Sequence, residues 1–205
     1  MKKIELSILF FILIGLSFRF ALIPGGGPLI GLGMGMLSIF YYVLSFALFN
    51  GIKLRNIFKK ASYQHTNAKK IVGAIGLGIS LSILIIGILF KLQGLPGATP
   101  MLTIGLLTTG LILIVASIFF LRNRTAFYKR VFVRGVVYFF LGALLYLTSP
   151  NTLIDIFHRD NPEYASILKQ VRAHPEDPKL QQKLDSMVLE MRRKEVEETM
   201  KQYDK

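Results

Sequence analysis

The chain has 205 residues, 52% of them hydrophobic and 18% charged, and its 25 Lys+Arg outnumber 12 Asp+Glu to leave a net charge of +13. Soluble domains carry about 25% charged residues, and a nucleic-acid binder with this excess of base would not also reach a mean hydropathy of +0.50. The numbers exclude a nucleic-acid partner and indicate a membrane protein whose charge records its topology.

The charge is unevenly placed. Residues 1–148 hold 15 Lys/Arg and a single acid, Glu5, whereas residues 149–205 hold 10 Lys/Arg and 11 acids. The chain therefore divides into an apolar, basic part at 1–148 and a nearly neutral part at 149–205. Without cysteine, neither a disulfide framework nor a thiolate metal site is possible.

Five segments are long and apolar enough to cross a bilayer as helices: roughly Ile4–Leu22, Leu29–Phe49, Ile71–Phe90, Met101–Leu121 and Val131–Thr148. Continuous rather than alternating apolar runs argue against strands. The expected fold is an all-α membrane protein of five transmembrane helices, followed by an extracytoplasmic helical tail. The connections alternate in charge. Lys2 and Lys3, the Asn50–Lys70 loop, the Arg122–Arg130 loop and Arg134 bring 13 bases to one side, against Arg19 and Lys91 on the other. The excess of base on cytoplasmic loops then puts the amino terminus in the cytoplasm and the carboxyl terminus in the periplasm. The first segment is expected to be retained, because cleavage after Ala21 would place Arg19 where a signal peptide wants a small residue. Glu5 is read as lying at the inner rim, outside the apolar depth.

The first four segments contain a repeat at an offset of 72 residues. Ile14, Gly15, Phe18, Pro24, Gly25, Pro28 and Gly33 recur as Ile86, Gly87, Phe90, Pro96, Gly97, Pro100 and Gly105, and Arg19 meets Lys91. Seven identities in twenty positions exceed the roughly two expected by chance. Residues 7–52 and 79–124 are thus expected to be two copies of one helical hairpin, with the fifth segment unpaired. In each copy a helix ends on an aromatic and a cation, and a Pro-Gly turn reverses the chain. Arg19 and Lys91 are read as snorkelling to the outer headgroups, or as lining an outer vestibule.

The second copy also resembles a known family. Gly87-Ile88-Leu89-Phe90-Lys91, the Pro/Gly turn and Met101-Leu102-Thr103-Ile104-Gly105-Leu106-Leu107-Thr108 look like the transmembrane hairpin of GldL, the membrane subunit of the proton-driven motor for gliding and type 9 secretion in Bacteroidota. The resemblance implies a related hairpin and a bacterial inner membrane. That family carries a proton-linked glutamate straight after the Ile-Gly-Leu-x-Thr run. The matching position here is Thr109, and Leu37 in the first copy, so the resemblance does not extend to a motor.

Other patterns carry less. His65, His158 and His174 lack metal-ligand spacing, and no nucleophile elbow or phosphate loop is present. No catalytic, cofactor or metal site is expected, and the chain is read as not an enzyme. The small-residue pairs Gly31/Gly35, Ala74/Gly78 and Gly76/Ser80 are read as helix-packing faces, Gly25-Gly26-Gly27 as a flexible turn, and Tyr41 and Tyr42 as packed between helices. Lys53, Arg55, Lys59 and Lys60 offer contacts to anionic lipid.

In the tail, Leu153, Ile154, Ile156 and Phe157 suggest a short amphipathic segment. Asn161-Pro162-Glu163 starts a helix to about Ala173, and Asp177-Pro178 starts a longer one to about Tyr203. On the longer helix Leu180, Leu184, Met187, Val188 and Met191 form one stripe, continued by Val196, Met200 and Tyr203. Residues 162–203 are a candidate protein-docking arm. Two functions remain: a non-enzymatic scaffold or subunit of a membrane complex, and a transporter or channel with Arg19 and Lys91 at its outer mouth. The residues singled out for either are Arg19, Lys91, Pro24, Gly25, Pro96, Gly97 and Thr109.

Overall fold

The computed structural model describes residues 1–64, 66–122 and 125–203, all helices, turns and connecting segments. His65, Asn123, Arg124 and the Tyr203 side chain, which entered the reading above, lie outside the described residues. The chain forms two compact units, Met1–Ser149 and Pro150–Lys205.

The first unit contains α1 (Lys2–Phe20), α2 (Gly26–Asn50), α3 (Ala68–Gln93), α4 (Ala98–Arg122) and α5 (Ala126–Leu147). Two short 3-10 turns, Leu54–Asn56 and Lys60–Tyr63, occupy the basic loop between α2 and α3. α3 is the central helix and packs against α2, α4 and α5, while α1 packs on α2. Leu77, Leu81, Leu84 and Ile85 of α3 are fully buried. The outer helices turn large apolar residues outward, such as Leu32, Met36 and Ile39 on α2 and Leu107, Leu111 and Ile114 on α4. A helix apolar on its outer as well as its inner face suits lipid rather than water.

α2, α3, α4 and α5 are long and apolar enough to cross a membrane. α1 is a regular helix, but it places Lys2, Lys3, Glu5 and Arg19 in 19 residues and stands apart from those four.

The bounds of α2 and α4 differ by 72 residues at both ends. Gly25 and Gly97 precede them with φ of 91° and 84°, a left-handed conformation that L side chains rarely adopt. The matched interior glycines sit at matched close approaches. A Cβ on Gly15 would lie 2.9 Å from the Ile30 nitrogen, and one on Gly87 would lie 2.8 Å from the Leu102 nitrogen. Gly26 and Gly27 belong to the first turn of α2 rather than to a flexible turn, and the reversal before them uses two left-handed residues, Leu22 at φ 59° and Gly25. Pro28 and Pro100 occupy the third position of their helices, where a missing N–H leaves no intrahelical bond unmade.

Two packing expectations need correction. Tyr41 is fully buried but Tyr42 is 61% exposed, because successive residues on a helix point about 100° apart and cannot both face one neighbour. Ala74/Gly78 is a close contact, with Gly78 against the Tyr41 carbonyl and Ser45 of α2, but a Cβ on Gly35 would meet nothing within 4 Å. Ser38 and Ser82 join α2 to α3 through a 2.6 Å hydroxyl–hydroxyl bond.

The second unit contains α6 (Pro150–Phe157), α7 (Pro162–Ala173) and α8 (Pro178–Tyr203). Asn161 caps α7 by accepting from the Tyr164 N–H at 3.1 Å, with Pro162 as the first helical residue. Leu153, Ile154 and Phe157 of α6 and Ala165 and Ile167 of α7 are buried. Lys169 of α7 pairs with Asp155 of α6. α8 packs against α7, and Asn161 Nδ2 donates to Met191 Sδ at 3.4 Å. Among its described side chains α8 has no buried residue.

Candidate functional site

The most polar buried feature of the first unit is built from three helices. α1 supplies Glu5 from its first turn, α2 supplies Tyr41, and α5 supplies Arg134 with Tyr138 one turn further on the same face. Arg134 donates from Nε to Glu5 Oε1 at 2.7 Å and from Nη2 to Oε2 at 2.6 Å. The Tyr41 hydroxyl donates to the same Oε1 at 2.5 Å. This is a bidentate, charge-assisted fork. Glu5 is only 7% exposed.

Aromatic rings enclose the pair. Tyr41 meets Tyr138 edge-on at 5.4 Å, and the Arg134 guanidinium lies 6.0 Å from the centre of the Phe49 ring. Tyr41 stands nine residues before the end of α2, and Arg134 eight residues after the start of α5. At 1.5 Å per residue Tyr41 and Arg134 lie about 12 to 14 Å along their helices from the basic-loop ends. Glu5, in the first turn of α1, is thus buried among helices. The carboxylate tolerates this burial because Arg134 neutralises it and three donated hydrogen bonds satisfy it.

A sequence signal for the pair existed. Glu5 is the only acid among residues 1–148, and Arg134 is the only charge between Val131 and Thr148. Opposite charges in two apolar segments are expected to find each other, because either alone is costly in hydrocarbon.

The residues singled out in sequence are spread over the unit. Pro24, Gly25, Pro96 and Gly97 are exposed in the two turns. Arg19, in the last turn of α1, is half-buried against the start of α2, its Nη1 lying 3.0 Å from where a Gly27 Cβ would stand. Lys91, in the last turn of α3, is 8% exposed. It is buried within the unit, not extended from an exposed helix end. Gln93 Nε2 joins the end of α3 to the start of α2 by donating to the Gly27 carbonyl at 3.1 Å. Thr109 is fully buried on α4, and its Oγ1 has no hydrogen-bond partner. Leu37, its counterpart on α2, is 1% exposed. His158 lies edge-on to Tyr164, and His174 follows the last residue of α7.

The segment that holds Lys91, the Pro96-Gly97 turn and Thr109 is also the one that resembles known proteins. Residues 71–133 match the GldL N-terminal domain. The GldL-like segment thus takes in nearly all of α3, the whole of α4 and the start of α5 as far as Val133. Arg134 is the next residue, so the match stops just short of the buried pair, and Glu5 and Tyr41 lie well outside it. No curated protein and no solved structure matches the chain. The chain is GldL-like in its second hairpin, and the Glu5–Tyr41–Arg134 cluster lies outside that segment and ties α1, α2 and α5 to one another.

Proposed function

We propose that this protein is a non-enzymatic subunit of a bacterial inner-membrane complex, with α1 as a fifth, retained span and the α6–α8 unit in the periplasm. The observation that carries the subunit reading is α8. It is a 26-residue helix with no buried residue among its described side chains, and its packing partner is the shorter α7. Helices owe most of their stability to burial of an amphipathic face. Leu180, Leu184, Met187 and Met191 are half-buried, whereas Leu189, Val196 and Met200 are 57%, 56% and 64% exposed. The far half of α8 thus offers an apolar face to a partner protein.

Retention of α1 is supported by the site. Without Glu5, Arg134 would be a buried guanidinium with no carboxylate. The transport reading draws less support. Thr108, Ser80 and Ser117, three of the few polar residues along the spans, donate to carbonyls of their own helices at 2.7, 3.0 and 2.7 Å. Residues engaged in this way do not offer a polar path. Lipid also belongs to this reading. Leu54 and Phe58 are 46% and 98% exposed beside Arg55, Lys59 and Lys60, the mixture of apolar and basic side chains that suits an anionic leaflet.

The subunit reading is tested by affinity purification in mild detergent of the parent chain and of Val196→Glu/Met200→Glu. A protein co-purified with the parent and lost in the variant supports it. Recovery of both as monomers of the chain alone removes it.

A further inference from the structure

At the basic-loop end of the first unit, a cavity of about 510 Å³ lies between the end of α2, the loop before α3 and the start of α5. Lys53, Lys70 and Arg130 line it, together with Asn50 and Thr125. Arg130 is held in place by donating from Nη1 to the Phe49 carbonyl at 3.2 Å. Its guanidinium lies over Gly51, where a Cβ would stand 2.8 Å from Cζ and where φ is +77°. Glu5 is the only acid in residues 1–148, and Arg134 engages it. The three cations of the cavity therefore have no carboxylate of their own unit to balance them.

The start of α5 adds to this positive field. Thr125 precedes the helix but makes no side-chain cap, and its Oγ1 is buried without a hydrogen-bond partner. α3 begins differently, because Asn67 Oδ1 accepts from the Lys70 N–H at 2.9 Å. Uncapped N–H groups and the positive end of the helix dipole favour an anion.

A second cavity, of about 550 Å³, shares Lys70, Thr125 and Phe127 with the first. Its other walls are mainly apolar and include Ile112, Val115, Phe119 and Val131 of α4 and α5. A cationic chamber adjoining an apolar groove matches a molecule with a phosphate at one end and hydrocarbon at the other. Inorganic phosphate would satisfy the first chamber but leave the groove unexplained.

We propose that the two cavities together bind one anionic phospholipid, its phosphate between Lys53, Lys70 and Arg130 and an acyl chain along the groove between α3, α4 and α5. The proposal rests on the membrane setting of the four apolar helices and not on the complex-subunit reading. It differs from general attraction to the leaflet, because the exposed bases Arg55, Lys59 and Lys60 line neither cavity.

The test is native mass spectrometry of the full chain released from nanodiscs of phosphatidylglycerol mixed with phosphatidylcholine. The parent is expected to retain phosphatidylglycerol selectively. Lys53→Gln/Lys70→Gln is expected to weaken retention between about tenfold and thirtyfold, while Arg55→Gln/Lys59→Gln/Lys60→Gln, which touches only the general attraction to the leaflet, weakens it clearly less. Lys53 is exposed, so Lys53→Gln alone should fold normally and still lose about fivefold. Equal retention of the two lipids overturns the proposal, as does an equal loss in the triple variant. Thermal stabilisation by inorganic phosphate that depends on Lys53 and Lys70, without selective lipid retention, also overturns it and assigns the chamber to the free anion.

Discussion

Glu5 and Arg134 show how one side chain is tolerated only through another. With Glu5→Gln the guanidinium loses its counter-charge but keeps its burial, and breaking a buried pair typically costs about 3 to 5 kcal/mol. The expected result is a clear fall in the thermal unfolding midpoint of the detergent-solubilised protein. Glu5→Leu/Arg134→Met removes both charges and is expected to recover most of that loss. A double variant as unstable as the two single losses added together would contradict the coupling. Tyr41→Phe removes one hydrogen bond to a charged oxygen and is expected to cost about 1.5 to 3 kcal/mol. Tyr42→Phe, on the exposed face, is expected to leave the midpoint unchanged. Thr109→Val deletes a hydroxyl with no hydrogen-bond partner, so stability is expected to hold or to rise by about 1 kcal/mol in the same assay.

At the scale of the element, the turn glycines make the sharper prediction. Gly25 and Gly97 have positive φ and open space around them. Replacing either by Ala therefore tests backbone strain alone, with an expected cost of about 1 to 2 kcal/mol. The two variants should lose similar amounts in thermal unfolding, because the turns occupy equivalent places 72 residues apart. Much at this scale was legible in sequence. Apolar length located the helices, Asn161-Pro162 and Asp177-Pro178 marked the starts of α7 and α8, and Pro-Gly marked the reversals. The Tyr41/Tyr42 reading went astray because adjacent residues on a helix cannot share a face. The Gly31/Gly35 reading failed at Gly35, because spacing along a helix says which residues share a face but not where along it a neighbour comes close.

For the whole molecule, Glu5 and Arg134 neutralise each other and leave the topology count. Twelve of the thirteen bases remain on the basic-loop side, against Arg19 and Lys91. The native chain has no cysteine, so single cysteines report the arrangement directly. Lys59→Cys and Lys183→Cys, probed in intact cells with a membrane-impermeant maleimide, are expected to label from opposite sides. Labelling from one side would mean an even number of spans between them and would remove α5 or another helix from the membrane. Adding Lys3→Cys tests α1, which should place that position on the same side as Lys59.

Length, hydropathy and the distribution of charge are properties of the chain itself, so the sequence alone determined the helical class, the apolar spans and the register of the repeat. The hydrocarbon thickness that demands about 20 apolar residues acts on each segment separately. Pairing across helices is another matter. That Glu5 meets Arg134 across 129 positions, that Lys91 is buried, and that Lys53, Lys70 and Arg130 surround one chamber depend on how α3 gathers α2, α4 and α5 about itself. Only the tertiary structure decided those, because the strength of a charge pair or an anion site depends on distance and burial that no linear spacing contains.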